Sequence, residues 1–174
     1  MNLTFAADVI CKGKHVESMF ANDVQVWPPD YNYYQIDFEF DPAATYTIAL
    51  RGMGFNQTSV GYMHANDITD AEYRDVNNDW HSLDAQEIAN SVSEQTNDFT
   101  ATCNWLYYTM KGTSWFNNFN CFTFKTGASM SNAPIRVSFW GFLDNDLNNA
   151  VKLASKVFTC SPNTVYTLYR GEFN

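Results

Sequence analysis

The stretch IRVSFWGFL, residues 135–143, decides the fold class of this chain. Ile135, Val137, Phe139, Gly141 and Leu143 alternate with Arg136, Ser138, Trp140, Phe142 and Asp144. A strand sends successive side chains to opposite faces, whereas a helix needs apolar residues three and four apart. The same period of two runs through residues 33–40, where Tyr34, Ile36, Phe38 and Phe40 alternate with Tyr33, Gln35, Asp37 and Glu39. It returns at 99–108, with Phe99, Ala101, Cys103, Trp105 and Tyr107 set against Thr100, Thr102, Asn104, Leu106 and Tyr108.

Working outward from these runs, strands are expected at residues 3–10, 15–20, 24–27, 33–40, 45–51, 58–64, 99–110, 119–126, 135–143, 151–159 and 165–170. Turn-forming residues separate them: Gly13, Asn22-Asp23, Asp41-Pro42, the segment 127–134 and Ser161-Pro162-Asn163. About eleven short strands at such spacing give an all-β chain, an antiparallel sandwich of jelly-roll-like kind, as a single domain over residues 1–174. One short helix is expected near 84–96, because Asp84 and Glu87 form a capping box ahead of Ile88 and Val92. With the acidic run before it, this helix reads as a polar loop-plus-helix insertion at about 63–98. A faint echo links Pro42, Tyr46, Thr47 and Ile48 to Pro162, Tyr166, Thr167 and Leu168, and each copy runs on to an Arg-Gly pair. It points to two equivalent strands.

Only 17% of residues are charged, so the surface must be built largely from Asn, Thr, Ser and Tyr, groups that cost less to desolvate than ions. A net charge of −9 argues against nucleic acid and against anionic lipid as partners, since both call for clustered Lys and Arg. No run approaches the length of a membrane span and no signal peptide is visible, so the expectation is synthesis in a cytosol. Cys11, Cys103, Cys121 and Cys160 match no zinc or redox spacing and read as four reduced thiols, although Cys103 and Cys121 could face each other on neighbouring strands. Metalloprotease, nucleophile-elbow, P-loop and dinucleotide patterns are missing, and His15, His64 and His81 are isolated from one another. Asp75, Asn77 and Asp79 match the first ligands of a hand-type calcium loop, but Trp80 stands where Gly is required. The chain therefore reads as a non-enzyme with no metal or cofactor.

Two aromatic segments remain as candidates for contact. Trp27, Tyr31, Tyr33 and Tyr34 surround the Pro28-Pro29 turn, and Trp115, Phe116 and Phe119 are interleaved with Asn117 and Asn118. Rings beside amides suit a protein interface or stacking on a sugar. The strand Ala44-Thr-Tyr-Thr-Ile-Ala-Leu50, after a Pro turn, resembles a core strand of jelly-roll carbohydrate-binding modules. In wider character, acidic and rich in Asn and aromatics, the chain resembles the small β-sandwich virion proteins of tailed bacteriophages. That likeness implies a capsid-decoration, head-fibre or tail component located in the virion. Its partners would be other virion proteins or further copies of itself. The alternative is a module that binds surface glycans through its aromatic turns.

Overall fold

The computed structural model describes residues 10–11, 14–15, 19–21, 24–27, 31–41, 46–56, 60–62, 64–93, 97–112, 121–143 and 147–174. In chain order the elements are β1 (Ile10–Cys11), β2 (Lys14–His15), β3 (Met19–Ala21), β4 (Val24–Trp27), β5 (Tyr33–Glu39), β6 (Tyr46–Asn56), β7 (Val60–Tyr62), β8 (Ile68–Arg74) and β9 (Trp80–Ser82). Then come α1 (Ala85–Val92), β10 (Phe99–Cys103), β11 (Trp105–Lys111), β12 (Cys121–Thr126), β13 (Ala133–Phe142), β14 (Val151–Cys160) and β15 (Val165–Tyr169). All pairings between these strands are antiparallel.

Two large sheets make the sandwich. One has six strands in the order β14-β13-β5-β11-β8-β9; the other has the order β10-β6-β12-β15, with β7 also on β6. The hairpins β1-β2 and β3-β4 stand apart as two-stranded sheets. The inner faces meet through aromatic rings. Phe38 of β5 lies 5.2 Å from Phe124 and 6.2 Å from Phe122 of β12, and Phe55 of β6 lies 5.5 Å from Phe139 of β13. All five are at most 1% exposed, and full burial of each ring stabilises the fold by about 1.5–3 kcal/mol.

The alternation at 99–108 does not continue as one strand. Asn104 stands between β10 in one sheet and β11 in the other. Its backbone N–H donates to the Arg74 carbonyl, and its carbonyl accepts from Phe40 N–H, both at 3.0 Å. Its side chain accepts from Arg74 Nε at 2.8 Å and donates to the Asp75 carbonyl at 3.2 Å. This corner reverses the phase: Phe99, Ala101 and Cys103 are buried before it, and Leu106, Tyr108 and Met110 after it. Trp105 and Tyr107 therefore face outward.

The expected polar insertion at 63–98 is also corrected. Residues 68–74 form β8, which pairs along β11 inside the six-stranded sheet. A register shift between Thr109 and Met110 breaks the period of two, so the buried residues of β8 are Ile68 and Ala71. Asp70, Glu72 and Arg74 fill the outward positions and give the segment its loop-like composition. The segment compared with a calcium loop is the β8–β9 turn. There Asp75 Oδ1 accepts from the backbone N–H groups of Asn77 and Asp79, at 2.8 and 3.0 Å.

The helix has the expected cap, with Asp84 accepting from the N–H groups of Gln86 and Glu87. It stops at Val92, and Ser93 is already extended as its carbonyl accepts from Gly52 N–H of β6 at 3.2 Å. Gly52 has φ +58°, a left-handed conformation that favours glycine. Gly171, from the second Arg-Gly pair, has φ +82°. The two echo strands, β6 and β15, flank β12 on either side.

Cys103, Cys121 and Cys160 are free and buried. Cys103 and Cys121 do not face each other. They pair with Tyr46 and Asn56, the opposite ends of β6, roughly 30 Å apart along the strand.

Candidate functional site

Three rows of outward side chains cross the six-stranded sheet. The register places Ser155, Ser138, Asp37, Tyr107, Glu72 and Ser82 in one line from β14 to β9. Two residues along the strands on one side run Lys152, Trp140, Gln35, Thr109 and Asp70. On the other side run Val157, Arg136, Glu39, Trp105, Arg74 and Trp80. An outer face normally meets water, yet Gln35, Asp37, Thr109, Ser138 and Ser155 on this one are buried.

They are satisfied by one another, as buried polar groups must be. Gln35 Nε2 donates to Asp37 Oδ1 at 2.5 Å, and Trp140 Nε1 donates to Asp37 Oδ2 at 2.8 Å. Thr109 donates to Gln35 Oε1 at 3.2 Å, and the hydroxyls of Ser138 and Ser155 lie 3.0 Å apart. Burial pushes the Asp37 carboxyl up to about 6; the bonds from Gln35 and Trp140 oppose the rise, Glu39 adds to it and Lys152 opposes it. Asp37 thus fixes the indole of Trp140, while the Lys152 ammonium lies 4.6 Å from that ring's centroid.

The β9 side is more open. Tyr107 Oη lies 2.7 Å from Glu72 Oε2 and 3.0 Å from Asp70 Oδ2, and its one proton serves both. Burial and these two acceptors push the phenol well above its usual range. Ser82 donates to Glu72 Oε1 at 3.0 Å. Trp80, 46% exposed, sits 5.7 Å from Trp105 and 5.8 Å from Tyr107, with the Arg74 guanidinium 5.3 Å from the Trp105 ring.

A different surface lies where β14 and β15 end their sheets. β15 pairs with β12 on one side and with no described strand on the other. Val165 and Tyr169 are 58% and 57% exposed on it, on either side of Thr167, whereas Phe173, 59% exposed in the tail, is bridged to Ser155 of β14 and lies beside Val157 at 40%. The tail covers β14: Ser155 N–H donates to the Glu172 carbonyl, Asn174 N–H to the Ser155 carbonyl, and Lys156 pairs with Glu172.

Of the aromatic residues singled out in the sequence, Tyr31 and Tyr34 lie in the core, 2% and 0% exposed. Tyr34 stacks on Phe139 at 5.3 Å, and Tyr31 meets Tyr34 edge-on at 5.9 Å. Tyr31 also explains Gly141, where a Cβ would stand 2.5 Å from its ring. Tyr33, half-buried, stacks on Phe142 at 5.5 Å. Trp27 is the last residue of β4, opposite Met19. Trp115, Phe116 and Phe119 lie outside the described residues. Tyr33 shares the outer face, two residues from Gln35 on β5, whereas Trp80, Trp105, Tyr107 and Trp140 on the same face were not among the sequence candidates. Only Trp140 carried a signal, in the outward half of its run; Trp105 and Tyr107 fell in the same half as Phe99, and Trp80 lay in the acidic segment.

Compared with known proteins, the chain matches no family model, no curated protein and no solved structure.

Proposed function

We propose that this chain is a non-enzymatic structural protein that acts by assembling with neighbouring subunits, as a virion component of the capsid-decoration, head-fibre or tail kind. The observation that carries the reading is the exposed apolar pair Val165 and Tyr169 on the edge strand β15, with Phe173 exposed on the tail beside β14. An edge strand with exposed apolar side chains is a template for pairing, and proteins that stay single blunt such edges with charge, bulges or cover. Here the tail covers β14, whereas β15 meets it only at Tyr169, whose N–H and carbonyl both bond Glu172, and no described strand pairs with the rest of that edge. The low charge fraction supports the reading, since neutral polar groups desolvate cheaply around an apolar contact. The virion setting comes from the likeness in composition to phage β-sandwich proteins.

Native mass measurement tests the assembly. The protein is expected as a multiple of the single chain, and the double variant Val165→Lys with Tyr169→Lys as a folded single chain. A wild-type protein that stays single at every concentration overturns the proposal, as does a multiple that the double variant leaves intact.

A further inference from the structure

We infer that the outer face of the six-stranded sheet binds an extended, uncharged oligosaccharide, lying diagonally from Trp140 on β13 to Trp80 on β9 and passing over Tyr107. Strand spacing and rise put those two indoles roughly 20–25 Å apart, so a ligand that touches both is a chain and not a single sugar. A sugar ring offers an apolar face and a rim of hydroxyls, and it calls for aromatic planes separated by hydrogen-bonding groups. That is how this face is built. Between the indoles lie Tyr107, Asp70, Glu72 and Ser82, with each carboxylate keeping acceptor capacity beyond the bonds it takes from Tyr107 and Ser82.

The β15 row makes the contrast. There the outward positions are Val165, Thr167 and Tyr169, with no carboxylate among them. On the sheet face the exposed apolar residues besides Trp80 among those described are Val157 and Phe173, both at the β14 border.

Charge selects within the carbohydrate class. Of the cations on this face, Arg74 bonds Asn104 and lies over the Trp105 ring, Arg136 bonds the Asn174 carbonyl, Lys152 lies over one side of the Trp140 ring, and Lys111 is exposed at the end of β11 away from Trp80. The carboxylates of Asp70 and Glu72 are the accessible charges beside Tyr107, and they repel uronates, sulfated chains and sialylated ends. Asp37 and Gln35 are positioning residues. They lie beneath the surface and hold the Trp140 indole through its N–H.

Titration with neutral hexasaccharides (gluco-, xylo-, manno- and chito-oligomers, each against its disaccharide) tests the inference, with polygalacturonate and heparin as acidic probes. Tryptophan fluorescence and calorimetry give the readout. At least one neutral hexasaccharide is expected to bind, more tightly than its disaccharide. Trp80→Ala and Trp140→Ala are each expected to weaken it about tenfold or more. Trp80 is half in solvent, so its removal keeps the fold, and a far-ultraviolet spectrum checks Trp140→Ala. The Val165→Lys, Tyr169→Lys variant should bind normally, which separates this face from the assembly row. Absence of binding by every neutral hexasaccharide overturns the inference. So does binding that both Trp variants leave unchanged, or binding by the acidic polymers alone.

Discussion

Asp37 is a carboxylate buried on an outer face, which normally meets water. It sits on the outward side of the central strand β5, yet is buried with both oxygens occupied by Gln35 and Trp140. Its carboxyl is raised from 3.8 to about 6, so the folded state holds this proton more tightly than the unfolded chain does. The resulting stability is fully present below pH 3.8 and is lost as pH rises through about 6. Over that window the loss is roughly 3 kcal/mol. Asp37→Asn removes the titration without breaking the network. The Gln35 amide can turn over, because the Thr109 hydroxyl beneath it can accept as well as donate. Urea unfolding of both proteins is expected to show wild type losing about 2–3 kcal/mol relative to the variant between pH 4 and pH 8. Parallel pH profiles would mean that Asp37 titrates as an exposed carboxylate does.

Asn104 governs the next scale, because it divides one apparent strand into β10 and β11. Replacing it with Ala strands Arg74 Nε and the Asp75 carbonyl at a buried corner, at a cost of about 2–4 kcal/mol in denaturant unfolding. A loss below about 0.5 kcal/mol, the range of surface substitutions, would show that the corner is held by the strands alone. The same residue explains what the sequence could and could not disclose. Alternation reports which residues share a face within one strand, and it placed β5 and β13 correctly, while the capping box placed the start of α1. It is silent on where a chain changes sheets, because Asn104 keeps the polar beat while the inward set switches from Cys103 to Leu106. For that reason Trp105 and Tyr107 read as core partners of Phe99. In β8 the irregular register and three charged outward residues hid a strand inside an acidic run. Tyr31 and Tyr34 read as surface aromatics because a Pro-rich turn precedes them, but Gly141 makes the space that draws Tyr31 inside.

At the scale of the whole molecule, the described part of the sandwich is joined by aromatic packing between sheets and not by a covalent link. Phe38 meets Phe122 and Phe124 across the interface, and Phe55 meets Phe139, so neither sheet can expose its inner face without the other losing its cover. The thiols report on this coupling from both layers. Cys103 and Cys121 belong to the sheet of β6, whereas Cys160 on β14 belongs to the six-stranded sheet. All three are buried, and burial pushes the Cys103 and Cys160 thiols up to about 12, which leaves almost no reactive thiolate at neutral pH. Labelling with a thiol reagent is therefore expected to be blocked at these three sites in the native protein, and the fully denatured chain should give four thiols. As denaturant rises, Cys103, Cys121 and Cys160 should become reactive at one shared midpoint, the midpoint at which tryptophan fluorescence changes. Peptide mapping separates the sites. If Cys103 and Cys121 label at lower denaturant than Cys160, the two sheets come apart in stages, and the aromatic interface is not what makes them a single cooperative unit.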